Sequence, residues 1–263
     1  MHPSPLVRSY AESGVLIAGG TSGVGLATAL GFVDAGVRKL VLLARNEERG
    51  RAACTSVLDR CRDVSVTFIP TDASDLGQVE RAVSAAHQEM GSVDVLVNST
   101  TTAYRPELLH RTPSADIPHI LVGQAVPPML LTRAVLPLMQ DQNGGSIINI
   151  ASDAAKVPTP GESALGAAMA AIAMFSRVAA IEAKRNGIRV NVVTPSLING
   201  TATAQNVLSD GFSKSLFEKA ATQAHLGVAV PEDLASLIVF LGGPGSARLT
   251  GQTISVNGGI SAM

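Results

Sequence analysis

A glycine-rich segment near the amino terminus carries the clearest chemical signal in this sequence. Its glycines directly follow an apolar run typical of a strand and open a segment with a helical pattern. Glycines at this position allow a tight turn and a close approach of the backbone to a pyrophosphate, and the helix N-terminus offers unpaired N–H groups to the phosphate. The alternative is a turn whose glycines serve only a positive φ. The predicted dinucleotide contacts are Gly19, Thr21, Ser22, Gly23, Val24 and Gly25.

The end of the second apolar run bears on the choice of dinucleotide. An acidic side chain at that point binds the adenosine ribose hydroxyls and repels a 2′-phosphate. Ala44 occupies the position, and Arg45 follows it. Because a guanidinium binds phosphate through paired, charge-assisted hydrogen bonds, the sequence predicts NADP(H) rather than NAD(H). The alternative is that Arg45 merely ends a strand on the surface.

Apolar runs alternate with longer helical patterns along the whole chain. This alternation predicts an α/β fold with a doubly wound, seven-stranded parallel sheet, and no linker or repeat divides residues 1–263 into further domains. The predicted strands are 14–18, 39–44, 64–69, 93–97, 145–150, 188–193 and 253–256. The predicted helices are 23–36, 46–61, 75–90, 115–140, 162–186 and 231–241.

The segment 197–230 has the weakest pattern, with several glycines among short helical stretches. It lies between the sixth and seventh strands and would overhang the carboxyl edge of the sheet, where open α/β sheets bind ligands. We therefore expect a substrate lid. The alternative is a surface excursion without a role in binding.

Composition excludes several classes of function. Lys and Arg total 20 against 21 Asp and Glu, so no overall charge favours nucleic acid or an anionic membrane. Cys54 and Cys61 are interpreted as reduced thiols. The histidines have no metal-ligand spacing, and no metal is predicted. No run is interpreted as a leader or a membrane span, so we expect a soluble, cytoplasmic protein.

The spacing Gly-x-x-x-Gly-x-Gly resembles the phosphate turn of the short-chain dehydrogenase/reductase family, and other segments extend the resemblance over nearly the whole chain. Residues 95–98 resemble the strand that leads into the family's Asn-Asn-Ala-Gly motif, residues 191–195 the segment before its nicotinamide-facing loop, and residues 251–259 its closing strand. The resemblance implies a single-domain Rossmann fold. It also implies further cofactor contacts at Asp72, Ala73, Asn98 and Pro195.

The family's proton-transfer residues are largely missing. In the family a Ser and a Tyr bind the substrate oxygen, a Lys lowers the pKa of the Tyr, and an Asn holds a water chain. Ser152 matches the serine, but Leu165, Met169 and Gln124 stand at the places of the tyrosine, lysine and asparagine. The resemblance therefore implies a pocket lined by these three side chains and no alcohol oxidation by the family mechanism. Core or interface packing is the alternative for Leu165 and Met169.

Three other side chains are candidates for the missing acid. Glu162 lies seven residues before Met169, the spacing at which the enoyl-reductase branch of the family has its tyrosine before its lysine. In an apolar pocket its pKa would rise, and it would donate a proton. Asp153 neighbours Ser152, and Tyr104 lies in the loop after the fourth strand. The alternatives are a helix cap or dipole partner for the carboxylates and a half-buried loop aromatic for the tyrosine.

Hydride transfer to an activated C=C or C=N bond tolerates a missing tyrosine, because the developing charge is delocalised. The sequence therefore favours an NADPH-dependent reductase of an enoyl-type or imine-type small molecule. Ser152 would be the hydrogen-bond donor, and the acid would be Tyr104, Glu162, Asp153 or water. The alternatives are a non-redox cyclase or isomerase, a silent nucleotide-binding homologue, and a ketone reductase with relocated groups. The resemblance also implies a homotetramer or homodimer formed through the helices at 115–140 and 162–186.

Overall fold

The computed structural model describes residues 5–209 and 211–262, in which one sheet of seven parallel strands has helices on both faces. The strand order is β3-β2-β1-β4-β5-β6-β7. Strands β1 to β3 are added toward one edge of the sheet and β4 to β7 toward the other, so the winding changes direction between the parallel neighbours β1 and β4. In open sheets of this kind, the ligand crevice lies beyond the carboxyl ends of the strands at that reversal. The strands are β1 Gly14–Ala18, β2 Lys39–Ala44, β3 Ser65–Pro70, β4 Val95–Asn98, β5 Gly145–Ile150, β6 Ile188–Pro195 and β7 Thr253–Val256.

Eight α-helices are found among the described residues, and a short 3-10 turn, Asp153–Ala155, follows β5. The predicted doubly wound, seven-stranded fold is confirmed, and the predicted ends of strands and helices lie within a few residues of the observed ones. The helices are α1 Gly23–Asp34, α2 Glu47–Arg60, α3 Leu76–Met90, α4 Asp116–Asp141, α5 Ser163–Ala183, α6 Ala202–Val207, α7 Gly211–Gln223 and α8 Pro231–Gly242.

The sheet separates two apolar layers, and β1 contributes to both. Val15 and Ile17 belong to the layer that contains Phe32 of α1. Leu16 and Ala18 point to the opposite layer, formed with α3, α4 and α5. Successive side chains of a strand alternate between faces, so a strand covered on both faces is apolar throughout. This arrangement holds the carboxyl ends of β1, β4 and β5 in fixed positions at one edge.

Helices α4 and α5 are long and apolar enough, by length and composition, to cross a membrane. The sequence analysis identified no such run. Both helices pack on the sheet in this structure, with Leu131 and Val135 of α4 and Ala179 and Ala180 of α5 in the apolar layer that contains Leu16. The central helices of a packed α/β fold have the same length and composition as a membrane span.

The predicted lid segment, 197–230, contains α6 and α7. A parallel bridge between Ile198 and Ala229 closes its base. Its own small apolar cluster includes Leu197, Ala204 and Val207. The segment therefore leaves the end of β6, forms a separate helical layer and returns beside its starting point.

Candidate active site

The glycine turn after β1 requires glycine for steric reasons. Gly19 has φ +77°, and a Cβ there would lie 2.3 Å from the carbonyl oxygen of Ser99. A Cβ at Gly25 would lie 2.1 Å from the carbonyl oxygen of Gly19. Contacts this close exclude any side chain, so the turn keeps bare backbone beneath a ligand.

The start of α1 has the properties of an anion site. Ser22 precedes the helix, yet its side chain does not cap it, so the hydroxyl is available to a ligand. The first turn contains no acidic residue. The unpaired N–H groups of such a turn and the positive end of the helix dipole both favour a phosphate. Thr21 and Gly23 are partly exposed beside Ser22, whereas Val24 is buried beneath the turn.

Arg45 and Asp72 stand at the ends of β2 and β3. Arg45 is exposed, and it forms no ion pair with another residue in the described part of the chain. Asp72 accepts a hydrogen bond from the Ser74 N–H at 2.9 Å through Oδ1, and its own N–H donates to the Gln78 side chain at 2.9 Å. These bonds shape the turn that contains Ala73. A guanidinium and a partly exposed carboxylate therefore flank the side of the crevice predicted for the adenosine.

Asn98 and Pro195 lie at the carboxyl ends of β4 and β6, but both are buried. Asn98 is 1% exposed, and its Nδ2 donates to Asn149 Oδ1 at 2.6 Å. Asn149 in turn donates to Ser176 Oγ at 2.8 Å. This chain of bonds ties β4, β5 and α5 together. It commits the Nδ2 of Asn98 to the protein interior, whereas its buried Oδ1 has no hydrogen-bond partner.

Ser152 follows β5 and is partly exposed. Its Oγ accepts a hydrogen bond from the Ala154 N–H at 3.2 Å and thereby caps the 3-10 turn. Accepting this bond orients the hydroxyl while its proton remains available to a ligand. The hydroxyl of Ser152 is therefore free to donate a hydrogen bond, and its role as donor to a substrate stays a prediction.

The face of α5 beside Ser152 is apolar. Leu165 and Met169 pack in one cluster with Ala151, just before the 3-10 turn, and with Ala155, its last residue. A Cβ at Gly166 would lie 3.0 Å from the Ala154 carbonyl oxygen, so the helix and the turn are in close contact. Neither Leu165 nor Met169 can donate a proton, and the two side chains together form an apolar wall.

Gln124 is buried in α4 and bonds to the loop that follows β4. Its Nε2 donates to the Thr102 carbonyl at 3.2 Å, and its Oε1 accepts from Thr101 Oγ1 at 3.4 Å. With these partners, Gln124 positions the loop that carries Tyr104. It is thus a support for the pocket wall, since its amide is committed to that loop.

Glu162 occupies the N-cap position of α5, but its side chain makes no capping hydrogen bond. The residue is only 7% exposed. Burial raises the pKa of its carboxyl from 4.5 to about 7, and no hydrogen bond or cation among the described residues offsets this effect. The capping alternative is therefore not what the structure shows. A carboxyl with this pKa exchanges a proton near neutral pH.

Tyr104 is a poor proton donor in this arrangement. Its hydroxyl donates a hydrogen bond to the carbonyl oxygen of Gly161. Burial, followed by the nearby carboxylates of Glu162 and Glu107, raises the pKa of the phenol well above its usual value. Tyr104 therefore stays protonated, and its proton is committed to a backbone carbonyl. Its geometry suits a positioning role next to Glu162.

Gly161 explains how the carboxyl of Glu162 is positioned. It has φ +85°, and a Cβ there would lie 2.5 Å from the ring of Phe212 in α7. Its carbonyl also accepts the Glu107 N–H at 3.1 Å. The loop after β4, the start of α5 and the lid segment thus meet at one glycine. Sequence reasoning missed this residue because its requirement arises from contacts that are distant in the chain.

Asp153 is the centre of a polar cluster that the sequence did not reveal. Its carboxylate accepts from Ser255 Oγ at 2.9 Å, from Ser261 Oγ at 2.8 Å and from the amide of Asn257. Lys156 Nζ donates to Ser255 at 2.5 Å and lies 3.9 Å from Asp153. With both oxygens occupied, Asp153 anchors the carboxyl-terminal segment to the turn of Ser152. This geometry argues against its use as an acid.

Within residues 5–209 and 211–262, no group of three or more His, Cys, Asp or Glu side chains is arranged to hold a metal ion. His2, which the sequence analysis considered among the histidines, lies outside the described residues. Nothing in the described site points to a metal.

Comparisons with known proteins show the family to which the chain belongs. Residues 18–261 match the family model described as enoyl-(acyl carrier protein) reductase. The chain is 31% identical to a 3-oxoacyl-[acyl-carrier-protein] reductase FabG of Chlamydia pneumoniae, over 94% of this chain and 96% of that protein. It is 30% identical to 2-(R)-hydroxypropyl-CoM dehydrogenase of Xanthobacter autotrophicus, over 94% and 98%. The chain belongs to the short-chain dehydrogenase/reductase family, and its relatives are oxidoreductases.

One solved structure is similar in fold over nearly the whole chain. It is a short-chain oxidoreductase from Pseudomonas aeruginosa, described as containing an atypical catalytic centre. The TM-score is 0.87 at 26% identity, covering 97% of this chain and all of that one. The two chains therefore share the fold, and the atypical catalytic centre is a description of the Pseudomonas protein.

Proposed function

We propose that this protein is an NADPH-dependent reductase of an activated C=C or C=N bond, with Ser152 as hydrogen-bond donor and Glu162 as acid. One observation carries the proposal. A buried carboxyl with a pKa of about 7 lies one helical turn before Leu165, on the helix that packs against the Ser152 turn. The acid has moved along α5, while the usual places of tyrosine and lysine have become apolar.

The residues at the carboxyl edge fit a dinucleotide. The bare turn at Gly19 and Gly25 and the uncapped start of α1 suit the pyrophosphate, and Arg45 suits a 2′-phosphate. Asp72 is near enough to the same edge to contact the adenine end. When bound, the nicotinamide would supply the hydride. The chain's own contribution is to bind the substrate, exclude water and deliver a proton.

An activated C=C or C=N bond suits this site better than an alcohol. Alcohol oxidation needs a base strong enough to remove a hydroxyl proton, and the family obtains it from a tyrosine beside a lysine. Here Tyr104 has a raised pKa, and Met169 provides no cation. Glu162 with a pKa of about 7 is suited to giving a proton to a carbon or nitrogen whose negative charge is delocalised.

We infer that the protein is cytoplasmic and assembles as a homotetramer or homodimer. The location follows that of relatives such as the FabG reductases. The support for assembly is an exposed apolar stripe on α5, made of Met174, Val178 and Ile181, with exposed Val122 on the adjacent α4. Residues spaced by three or four lie on one helix face, so the stripe is continuous. Large apolar side chains exposed together in this way mark an interaction surface.

The direct test is NADPH oxidation by the purified protein with a panel of an enone, an enoyl thioester, an imine and a simple ketone. Turnover of an activated C=C or C=N substrate, and at most slow turnover of the ketone, is expected. Ser152→Ala and Glu162→Gln should each lower kcat/KM by about 100-fold. Glu80→Gln, at an exposed position of α3, is the matched control. Ketone reduction alone would overturn the proposal.

A further inference from the structure

We propose that the site selects a substrate with positive charge on nitrogen, a cyclic imine bound as its iminium ion, and that Glu162 is its counter-ion. The inference rests on the proposed reductase function and narrows its substrate class. Its basis is the charge balance around a buried carboxyl at the meeting point of the β4 loop, α5 and the lid segment.

The carboxyl of Glu162 has no cation paired with it among the described residues. It is 7% exposed, burial is the only cause of its raised pKa, and Glu107 adds a second carboxylate close enough to raise the pKa of Tyr104. Arg105 on the β4 loop is exposed and donates to Ser213 in α7 at 3.3 Å. Arg111 on the same loop is exposed as well, and it forms no ion pair with Glu162 or Glu107. A ligand beside Glu162 therefore meets a carboxyl that no cation of the described residues neutralises.

A buried carboxylate without a partner is costly, because it has lost its hydration without gaining an opposite charge. A cationic ligand placed against it removes that cost, whereas a neutral enone or thioester does not. Leu165, the partly exposed neighbour of the buried Met169 in one apolar cluster, suits contact with the hydrocarbon ring of such a ligand. One charged anchor within an apolar pocket fixes both orientation and specificity.

The reaction balances with one proton and one hydride. A neutral imine takes its proton from the carboxylic acid form of Glu162, and the resulting carboxylate then faces the iminium. Hydride from the reduced nicotinamide forms the new C–H bond, and the π electron pair of C=N moves to nitrogen. The product is a neutral amine, the cofactor is oxidised, and Glu162 regains its proton from water. An imine that arrives already protonated needs only the counter-ion.

The test compares three ring substrates of similar size: dihydroisoquinoline, its N-methyl iminium salt and cyclohexenone. Wild-type protein should reduce both nitrogen compounds. Glu162→Gln should lower kcat/KM by about 100-fold for dihydroisoquinoline and about 10-fold for the N-methyl cation, which needs no proton. It should also lower any enone reduction by about 100-fold, because the enone takes its proton from the same carboxyl in the proposed function. A variant whose fold was damaged would lose reduction of the N-methyl cation as fully as that of the other two substrates, so the smaller loss with this cation separates the two explanations.

Binding gives a second readout that does not depend on turnover. Tetrahydroisoquinoline, a cation at neutral pH, should bind the cofactor-loaded protein in calorimetry, and Glu162→Gln should raise its Kd at least about tenfold. Glu182→Gln, at an exposed position of the same helix, should leave the Kd unchanged. An enone or enoyl thioester reduced well while both nitrogen compounds are inert would overturn this inference and leave the proposed reductase standing. No NADPH oxidation with any substrate would remove the reductase itself.

Discussion

At the level of single residues, the proposed site depends on the buried carboxyl of Glu162. Leu165 and Met169 leave the helix face beside Ser152 without charge, and Glu162 introduces a titratable group just before that face. Tyr104, held by the Gly161 carbonyl, closes one side of this group. Burial alone raises the pKa of Glu162, the proposed acid, to about 7.

The buried carboxyl should make stability depend on pH. Glu162 has a folded-state pKa of about 7 against 4.5 for the free side chain. Between these values the folded protein holds a proton that the unfolded chain has released, so stability falls as pH rises from about 5 to 7 and then levels. The loss should be about 3 kcal/mol at most. Urea unfolding of the wild type and Glu162→Gln at both ends of this range should show the loss in the wild type only. Equal slopes in the two proteins would contradict the assignment.

Met169 should tolerate shape-conserving change and reject charge. Met169→Lys would place an ammonium in the apolar cluster of Ala151, Ala155 and Leu165, and we expect a loss of about 3 kcal/mol of unfolding free energy. Met169→Leu should cost less than about 1.5 kcal/mol, since it conserves volume and polarity. Denaturant unfolding of both variants provides the measurement. If the lysine variant were as stable as the leucine variant, the apolar cluster would accommodate a charged side chain and the prediction would be wrong.

At the scale of elements, the predictive power of the sequence had a clear boundary. Strands and helices were predicted well because their apolar periodicity reflects the two layers of the fold, and even α4 was found despite Pro127, Pro128 and Pro137. The glycine turn was also predicted, because the glycine spacing between a strand and a helix is a local pattern, although the carbonyl that excludes a side chain at Gly19 belongs to the distant Ser99. The polar cluster of Asp153 was not readable, because its partners come from the far end of the chain.

The glycine turn offers a matched comparison of two positive-φ positions. Gly19→Ala would place a Cβ 2.3 Å from the Ser99 carbonyl, whereas Gly91→Ala at the end of α3 has nothing within 4 Å. Both φ angles are near +77°, so backbone strain of about 1 to 2 kcal/mol is common to both. Only Gly19→Ala should also abolish NADPH binding, as measured by nicotinamide fluorescence. Normal binding by a folded Gly19→Ala variant would count against the phosphate site.

At the scale of the whole molecule, the exposed stripe on α5 should decide the assembly. Light scattering at micromolar concentration should give the mass of a dimer or tetramer. Val178→Glu should shift the mass toward the monomer, because it places a charge in the centre of an apolar interface. Val230→Glu, at another exposed apolar position, is the control and should leave the mass unchanged. A monomeric wild type would contradict the proposed assembly.

Dinucleotide binding is tested most directly by a fluorescence titration of the protein with NADPH and with NADH, which the absence of tryptophan simplifies. We predict tight binding with NADPH preferred, loss of that preference in Arg45→Ala by about tenfold or more, and no change in Arg62→Ala, an exposed arginine beyond the far end of α2. Failure of the wild type to bind either nucleotide would contradict both the dinucleotide site and the proposed reductase function.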